Sequence, residues 1–199
     1  MSSSASTEQF ILSSIQFISS YGFSTPLLEH VEHKLELPRY YHLILFPGGL
    51  KEFVKLFEDM LDAKMQEAAN TNPMPTKIRD KVQECIKLRL CSVQNAQEIF
   101  TRLVEFYKAP AHALLGIKNS WNTVDKIWRI CNDDSTDFNY YTKRSLLLGA
   151  YRSTVKYFVK DKSAGYVQTF CHLEQYIQRI MAFSTVKKKI VDFVGGRLQ

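Results

Sequence analysis

Apolar side chains recur every three or four residues along most of this chain, which is the spacing of an amphipathic α-helix. In one segment Phe53, Phe57, Leu61 and Met65 share a face in this way. Glycine and proline stand between such segments, where they end helices, and long alternating strand patterns are absent. We therefore expect an all-α protein of about ten helices. The expected helical ranges are 7–21, 25 to at least 35, 38–46, 50–69, 76–90, 95–108, 110–117, 120–131, 136–159, 166–182 and 185–198.

The helix lengths suggest how the chain is organised. Residues 1–49 hold three short helices, and residues 50–184 hold longer ones that predict a helical bundle. Residues 185–199 predict a separate amphipathic, basic helix at the end. We see no internal repeat and no low-complexity linker between these parts.

The first part has the order of a helix-turn-helix, with two short helices before a third. The join Phe46-Pro-Gly-Gly-Leu-Lys-Glu-Phe53 is similar to that of TetR-like regulators, so we expect a TetR-like bundle. A DNA-reading helix presents basic and amide side chains, but this one is rich in Tyr and Leu. The helix before it carries Glu29, Glu32 and Glu36, which would repel phosphates. We expect no nucleic-acid partner, and a transcription regulator with a lipid effector remains the alternative function.

Composition limits the class of protein. The 199 residues carry a net charge of +6 and are 45% hydrophobic, enough for one folded domain with a substantial core. No apolar run approaches the ~18 residues of a membrane-spanning helix. The Ser-rich start lacks the features of a secretory signal and the arginines of a mitochondrial presequence. We expect a cytosolic bacterial protein or a processed organelle protein.

Metal and redox chemistry have little support in the pattern. The four cysteines form no C-x-x-C pair, so we expect buried thiols in a reducing compartment. His30 and His33 lie close together on one helix, but neither has the Glu-x-x-His spacing of a di-iron bundle site. We expect no metal site here.

The segment 135–144 concentrates aromatic residues at the start of a helix. Phe138, Tyr140 and Tyr141 fall within one and a half helical turns, so they cannot all point into one core. At least one should face a partner, a ligand or a membrane. Asp137 in the first turn is explained by capping and by the helix dipole, and no base lies close by in sequence.

This segment, Ser-Thr-Asp-Phe-Asn-Tyr-Tyr-Thr-Lys-Arg at 135–144 preceded by Ile127-Trp128, resembles the hallmark of the coenzyme Q nine family. The resemblance extends to Ile78-Arg-Asp-Lys-Val82 and to Leu88-Arg-Leu90. It implies a TetR-like all-α homodimer without catalytic activity. Such a protein binds a lipid in an apolar cavity and assists the hydroxylase that acts on a ubiquinone precursor.

By this resemblance the surface that binds the hydroxylase contains Asp137, Tyr140 and Tyr141. Tyr140 stands where the family usually has Trp, a larger side chain.

Helices rich in large apolar side chains can also enclose a ligand cavity. The candidate residues for its lining are Trp121, Trp128, Leu147, Tyr151 and Phe158. The alternative for each is ordinary core packing. The expected ligand is a lipid or an isoprenoid quinone precursor, and we expect no cofactor.

The last helix has one basic and one apolar side, which is typical of a helix lying on an anionic membrane. The candidate membrane-binding residues are Lys187, Lys188, Lys189, Ile190, Phe193 and Val194. The alternative is a helix docked on the bundle or used for dimerisation. Membrane binding would make this a peripheral protein, on the cytoplasmic face of a bacterial inner membrane or the matrix side of the mitochondrial one.

Overall fold

The computed structural model describes residues 2–133 and 137–180, with side chains described over 7–133 and 140–180. In this part eight α-helices precede a short 3-10 helix, Ala164–Tyr166, and residues 167–180 form a further α-helix, called α9. The eight are α1 (Ser2–Tyr21), α2 (Thr25–Lys34), α3 (His42–Leu45), α4 (Leu50–Thr71), α5 (Ile78–Leu90), α6 (Ala96–Lys108), α7 (Pro110–Ile130) and α8 (Asp137–Phe158). The described chain contains no strand, which confirms the predicted all-α class and agrees with a TetR-like bundle.

The turn between α1 and α2 follows from its residue types. Gly22 has a φ of +62°, a left-handed conformation that glycine adopts without strain, and it ends α1 as expected. The Oγ of Ser24 accepts a hydrogen bond from the Leu27 amide at 3.4 Å and caps α2. Proline stands in the first turn of α2, where it has no amide hydrogen to leave unpaired.

The third helix is shorter than predicted. It covers four residues instead of 38–46, and Tyr40 just before it has a φ of +67°. Glu32 does not face outward as expected, because its buried carboxylate accepts hydrogen bonds from the Tyr40 amide at 3.2 Å and the His42 amide at 2.5 Å. The outer side of this segment presents Leu43 and Ile44, which are 52% and 71% exposed. These two apolar side chains offer no donor to base edges, and Arg39 is the exposed basic side chain beside them.

Helix α7 is continuous, whereas the sequence suggested two helices with a break near residue 118. No proline or glycine interrupts residues 117–120, so the backbone has no reason to stop there. Asn119, a residue common in turns, lies buried inside α7 and donates to the Tyr107 hydroxyl at 2.9 Å. The expected pair of helices was therefore wrong.

One continuous hydrophobic core runs through the described chain. Phe46, from the first part, packs edge-on against Phe10 at 5.4 Å and against Phe53 of α4 at 5.3 Å between ring centroids. The two parts suggested by sequence thus share a core, while α7 packs against α4, α6 and α8 in the larger part. Among the described helices, none combines the length and apolar character needed to cross a bilayer.

Candidate functional site

A cleft opens between α6, α7 and α8. Its volume is about 170 Å³, and most of its wall is apolar. The apolar side chains on the wall are Phe100, Leu103, Val104 and Val155. Gly116 on α7 permits the close approach of Tyr107, since a Cβ at this position would lie 2.7 Å from the Tyr107 ring. Small-molecule sites usually have volumes of about 300–1,000 Å³, so this cleft has room for part of a long ligand.

A fully buried guanidinium lies behind the cleft. Arg89 of α5 donates to the carboxylates of Glu58 and Asp62, each at 2.6 Å, and to the hydroxyl of Tyr151 at 2.5 Å. Lys126, one third exposed, also contacts Asp62 at 3.2 Å. Buried charges persist only when they are paired and hydrogen-bonded in this way. The network ties α4, α5, α7 and α8 together beside the cleft.

Two phenols connect this network to the cleft surface. The Tyr107 hydroxyl donates to Glu58 at 2.5 Å, and both residues line the cleft with Tyr151. Burial, followed by the charge of Glu58, raises the pKa of Tyr107, and burial also raises the pKa of Tyr151. Both hydroxyls therefore stay protonated at neutral pH. The cleft has an apolar wall and a hydrogen-bonded polar floor.

Of the five predicted lining residues, the structure places one in this cleft. Tyr151 is on its wall. Leu147 and Phe158 are buried in the core, with exposures of 4% and 0%. Trp121 and Trp128 lie partly buried on α7 and do not line the cleft. The role of all five residues in lipid binding stays a prediction.

Trp128 nevertheless has an unusual environment. Its indole Nε1 is buried and has no hydrogen-bond partner among the described residues. The ammonium group of Lys143 lies 5.5 Å from the ring centroid, within the range of a cation–π contact.

Several residues of the cleft were not predicted to line it. Three basic side chains, Lys108, Arg152 and Lys156, stand on its wall. The sequence placed Arg152 and Lys156 in a basic stretch that could face an anionic lipid or an acidic partner, or equally the solvent. Glu58 and Asp62 did carry a signal, because they are four residues apart within the buried stripe of α4. Acidic residues on a core face require a buried partner.

Tyr140 and Tyr141, the aromatic pair near the start of α8, have different environments. Tyr140 donates to the Oδ1 of Asp125 at 2.9 Å, and the Arg144 guanidinium lies 3.4 Å from its ring centroid. Hydrogen bonding to Asp125 raises the pKa of Tyr140. Tyr141 packs edge-on against it at 5.1 Å and is 63% exposed. Tyr140 is thus held by the protein, and Tyr141 is presented to the solvent.

Other predicted site residues lie outside the described part. The backbone of Asp137 begins α8, but its side chain is not described. The predicted membrane-binding residues at 187–190, 193 and 194 also lie outside it. The roles assigned to these residues stay predictions.

The cysteines differ from the expectation that all are buried. Cys85 and Cys131 are buried and contact each other, whereas Cys91 and Cys171 are exposed. Cys91 is the residue that follows the last turn of α5. Periodicity alone did not separate these outer positions from the core.

Comparison with known proteins gives a family match that includes most of α7 and the whole of α8. Residues 113–184 match the model of the COQ9 family. The chain is 23% identical over 189 residues to the "Probable ubiquinone biosynthesis protein coq9, mitochondrial" of Dictyostelium discoideum, covering 92% of this chain and 62% of that protein. It is also 23% identical over 199 residues to the "Ubiquinone biosynthesis protein COQ9, mitochondrial" of Xenopus tropicalis, covering 93% and 61%.

The protein of that name from Bos taurus is 29% identical over 113 residues, which are 57% of this chain and 34% of the relative. The chain therefore spans about three fifths of the length of the Dictyostelium and Xenopus relatives. The matched segment 113–184 contains the whole of α8 with the aromatic pair. The chain is thus similar to the COQ9 family over residues 113–184 and to proteins named for ubiquinone biosynthesis along nearly its whole length.

Proposed function

We propose that this chain is a lipid-binding accessory protein of ubiquinone biosynthesis. In this role it would take an isoprenoid quinone precursor from the membrane and present it to a membrane-bound hydroxylase. The observation that carries the proposal is the alignment with ubiquinone biosynthesis proteins over 92% and 93% of the chain. No covalent step is assigned to the chain itself.

The cleft between α6, α7 and α8 is the proposed entry site for the lipid. Its volume of about 170 Å³ holds roughly six groups of the size of a water molecule, each taking about 30 Å³. One end of a single apolar chain fits this space, and a longer chain requires α8 to move outward from α6 and α7. Burial of each methylene contributes about 0.8 kcal/mol to binding, so even a short segment gives useful affinity.

Tyr141 is the proposed contact for the hydroxylase. It is the more exposed member of the aromatic pair, and tyrosine is common among residues that dominate protein interfaces. Tyr140, fixed by Asp125 and Arg144, would hold the surface in place. This arrangement reduces the entropy lost on binding, because the supporting side chain is already ordered.

The names of the relatives also suggest a location. They are called mitochondrial, and we propose peripheral attachment to the matrix side of the mitochondrial inner membrane. The basic and apolar residues at 187–194 would make this contact. A homodimer is the proposed assembly.

Native mass spectrometry of the purified protein tests the lipid-binding part. We expect a dimer that retains an apolar lipid. In the variant Val155→Trp, the larger side chain should fill the cleft and reduce the retained lipid. The matched control is Val167→Trp, because Val167 is 59% exposed and does not line the cleft. Wild-type protein without lipid, which also fails to take up an added prenyl quinone, would contradict the proposal.

Affinity measurements with the ubiquinone-precursor hydroxylase of the same organism test the partner surface. Tyr141→Ala should weaken binding by at least tenfold, as expected of a residue that dominates an interface. Tyr21→Ala removes another tyrosine that is 41% exposed and serves as control. Equal affinities of the two variants would rule out the assignment of Tyr141.

A further inference from the structure

A second recess adjoins the apolar cleft. This groove, with a volume of about 400 Å³, lies between the C-terminal half of α8 and the start of α9. Its lining residues are Ser153, Lys156, Tyr157, Lys160, Asp161, Gln168 and His172. Lys156 lines both recesses, so an apolar space and a polar space meet at one side chain.

The basic residues around Lys156, where the cleft and the groove meet, are not paired with acidic side chains in the part of the chain that the structure describes. Lys108, Arg152 and Lys156 line the cleft, and Lys160 lines the groove. Among the described residues, none of these four forms an ion pair. The cleft contains one carboxylate, that of Glu58, which is already bonded to Arg89 and Tyr107.

The carboxylate in the groove is engaged as well. Asp161 accepts hydrogen bonds from the amide and hydroxyl of Ser163 at 2.8 and 2.7 Å, and from those of Thr169 at 2.8 and 2.6 Å. With these four donors Asp161 caps the start of α9 and does not pair with Lys156 or Lys160. The charge left unbalanced at the junction is therefore positive.

The groove also offers polar side chains for a ligand. The Oγ of Ser153 lies 2.9 Å from the Nε2 of His172, whose ring stacks on Tyr157 at 4.8 Å between centroids. Ser153, Lys156 and Lys160 stand on one face of α8, at spacings of three and four residues. A hydroxyl, an imidazole and two ammonium groups thus surround the same space.

We propose that the two recesses together bind a single-chain anionic amphipath. Its apolar chain would enter the cleft, and its phosphate or carboxylate group would bind at Lys156 with Lys160 in the groove. The narrow cleft favours a ligand with one chain over a phospholipid with two. This inference rests on the lipid binding proposed above and adds the class of headgroup.

Calorimetry with three monomeric probes tests the proposal. Decyl phosphate carries both the chain and the anion, decanol carries the chain alone, and inorganic phosphate carries the anion alone. We expect decyl phosphate to bind about tenfold more tightly than decanol, as one charged hydrogen bond allows. This advantage should shrink as salt is added, and inorganic phosphate should bind weakly.

The variants locate the headgroup. Lys160→Gln, which changes the groove alone, should remove most of the difference between decyl phosphate and decanol without changing the affinity for decanol, and Lys156→Gln should reduce the same difference. Lys55→Gln, at an exposed position of α4 outside both recesses, is the control. Unchanged Tm values would show that the folds are intact.

Each unfavourable outcome has its own meaning. If wild-type protein binds decyl phosphate and decanol equally, the headgroup site is wrong and the lipid cleft stands. If neither compound binds, the proposed lipid-binding function fails. If inorganic phosphate binds as tightly as decyl phosphate, the link between groove and cleft is refuted.

Discussion

Replacement of Arg89 by methionine should destabilise the fold strongly. The side chain is completely buried and holds two carboxylates from α4. Methionine has a similar length and fills the space, so the change removes the charge and the donors more than the packing. The expected cost is that of leaving buried carboxylates without their cation.

The size of the destabilisation depends on which partners Asp62 and Glu58 keep after Arg89 is replaced. Asp62 keeps Lys126 at 3.2 Å and the hydroxyl of Thr123 at 3.0 Å, whereas Glu58 keeps only neutral donors among the described residues. Breaking a buried ion pair from one side costs about 3–5 kcal/mol. For a chain of this length each kcal/mol lowers Tm by about 2–4 °C. We therefore expect Tm to fall by roughly 6–20 °C.

Urea denaturation of the single variant and of two double variants measures this effect. Adding Glu58→Gln to Arg89→Met should restore a large part of the lost free energy of unfolding, because the carboxylate without a cation is removed. Adding Asp62→Asn should restore less, since Lys126 then loses a partner. If the Glu58 double variant is no more stable than the single one, or if Arg89→Met costs less than about 1 kcal/mol, the reasoning is refuted.

Three further changes have definite expected results. Gly116→Ala should push the Tyr107 ring into the cleft and so reduce lipid uptake. It should also lower the free energy of unfolding, measured by urea denaturation, by about 1–2 kcal/mol, because overpacking outweighs the better helix propensity of alanine. Asp161→Asn should lower Tm by a few degrees at neutral pH and flatten the fall of Tm in acid. Tyr140→Phe, which loses the hydrogen bond to Asp125, should weaken hydroxylase binding less than Tyr141→Ala does, as measured by affinity.

The hydrogen bonds that Asp161 accepts decide how its contribution to stability changes with pH. Burial opposes the charged form of Asp161, but the donors of Thr169 and Ser163 outweigh it and lower the pKa of Asp161. Its contribution to stability is therefore present above about pH 4, the ordinary aspartate value, and is lost as the pH falls towards the lowered pKa. An equally steep acid fall in Tm for the Asp161→Asn protein would contradict this explanation.

Matched substitutions serve as controls for the other two changes. Gly149→Ala adds a Cβ 3.2 Å from the Tyr176 hydroxyl, the movable end of a side chain, so it should leave lipid uptake unchanged. Loss of uptake in this variant as well would show a general effect of helical alanine. For the aromatic pair, a larger affinity loss in Tyr140→Phe than in Tyr141→Ala would reverse the roles assigned to the two tyrosines.

Most of the helices, and the presence of an exposed aromatic residue near the start of α8, could be predicted from the sequence because both depend on local spacing. Three aromatics in one and a half turns required at least one of them to face outward, and Tyr141 does so. The tether of Tyr140 could not be predicted in the same way. Its partner Asp125 is 15 residues away on α7, and only the packing of α7 against α8 brings them together.

The lining of the cleft was harder to predict because α8 is covered on more than one side. Leu147 and Phe158 face the core, whereas Tyr151 and Val155 reach the cleft, although all four are apolar or aromatic. Periodicity places residues on faces of a helix but does not say which neighbour covers each face. The wall of a cavity depends on that neighbour.

The buried charges of Glu58, Asp62 and Arg89 also help to explain why the helices leave a cleft between them. A buried ion network gives little net stability, and an apolar replacement of similar volume is often as stable. Carboxylates and phenols nevertheless need fixed hydrogen-bond geometry, so they hold α4, α5 and α8 at set distances and resist collapse onto the cleft. An all-apolar variant, Glu58→Met with Asp62→Leu and Arg89→Met, should therefore keep much of the stability while losing lipid uptake. If such a protein folds and still takes up lipid as well as the wild type, the network does not keep the cleft open.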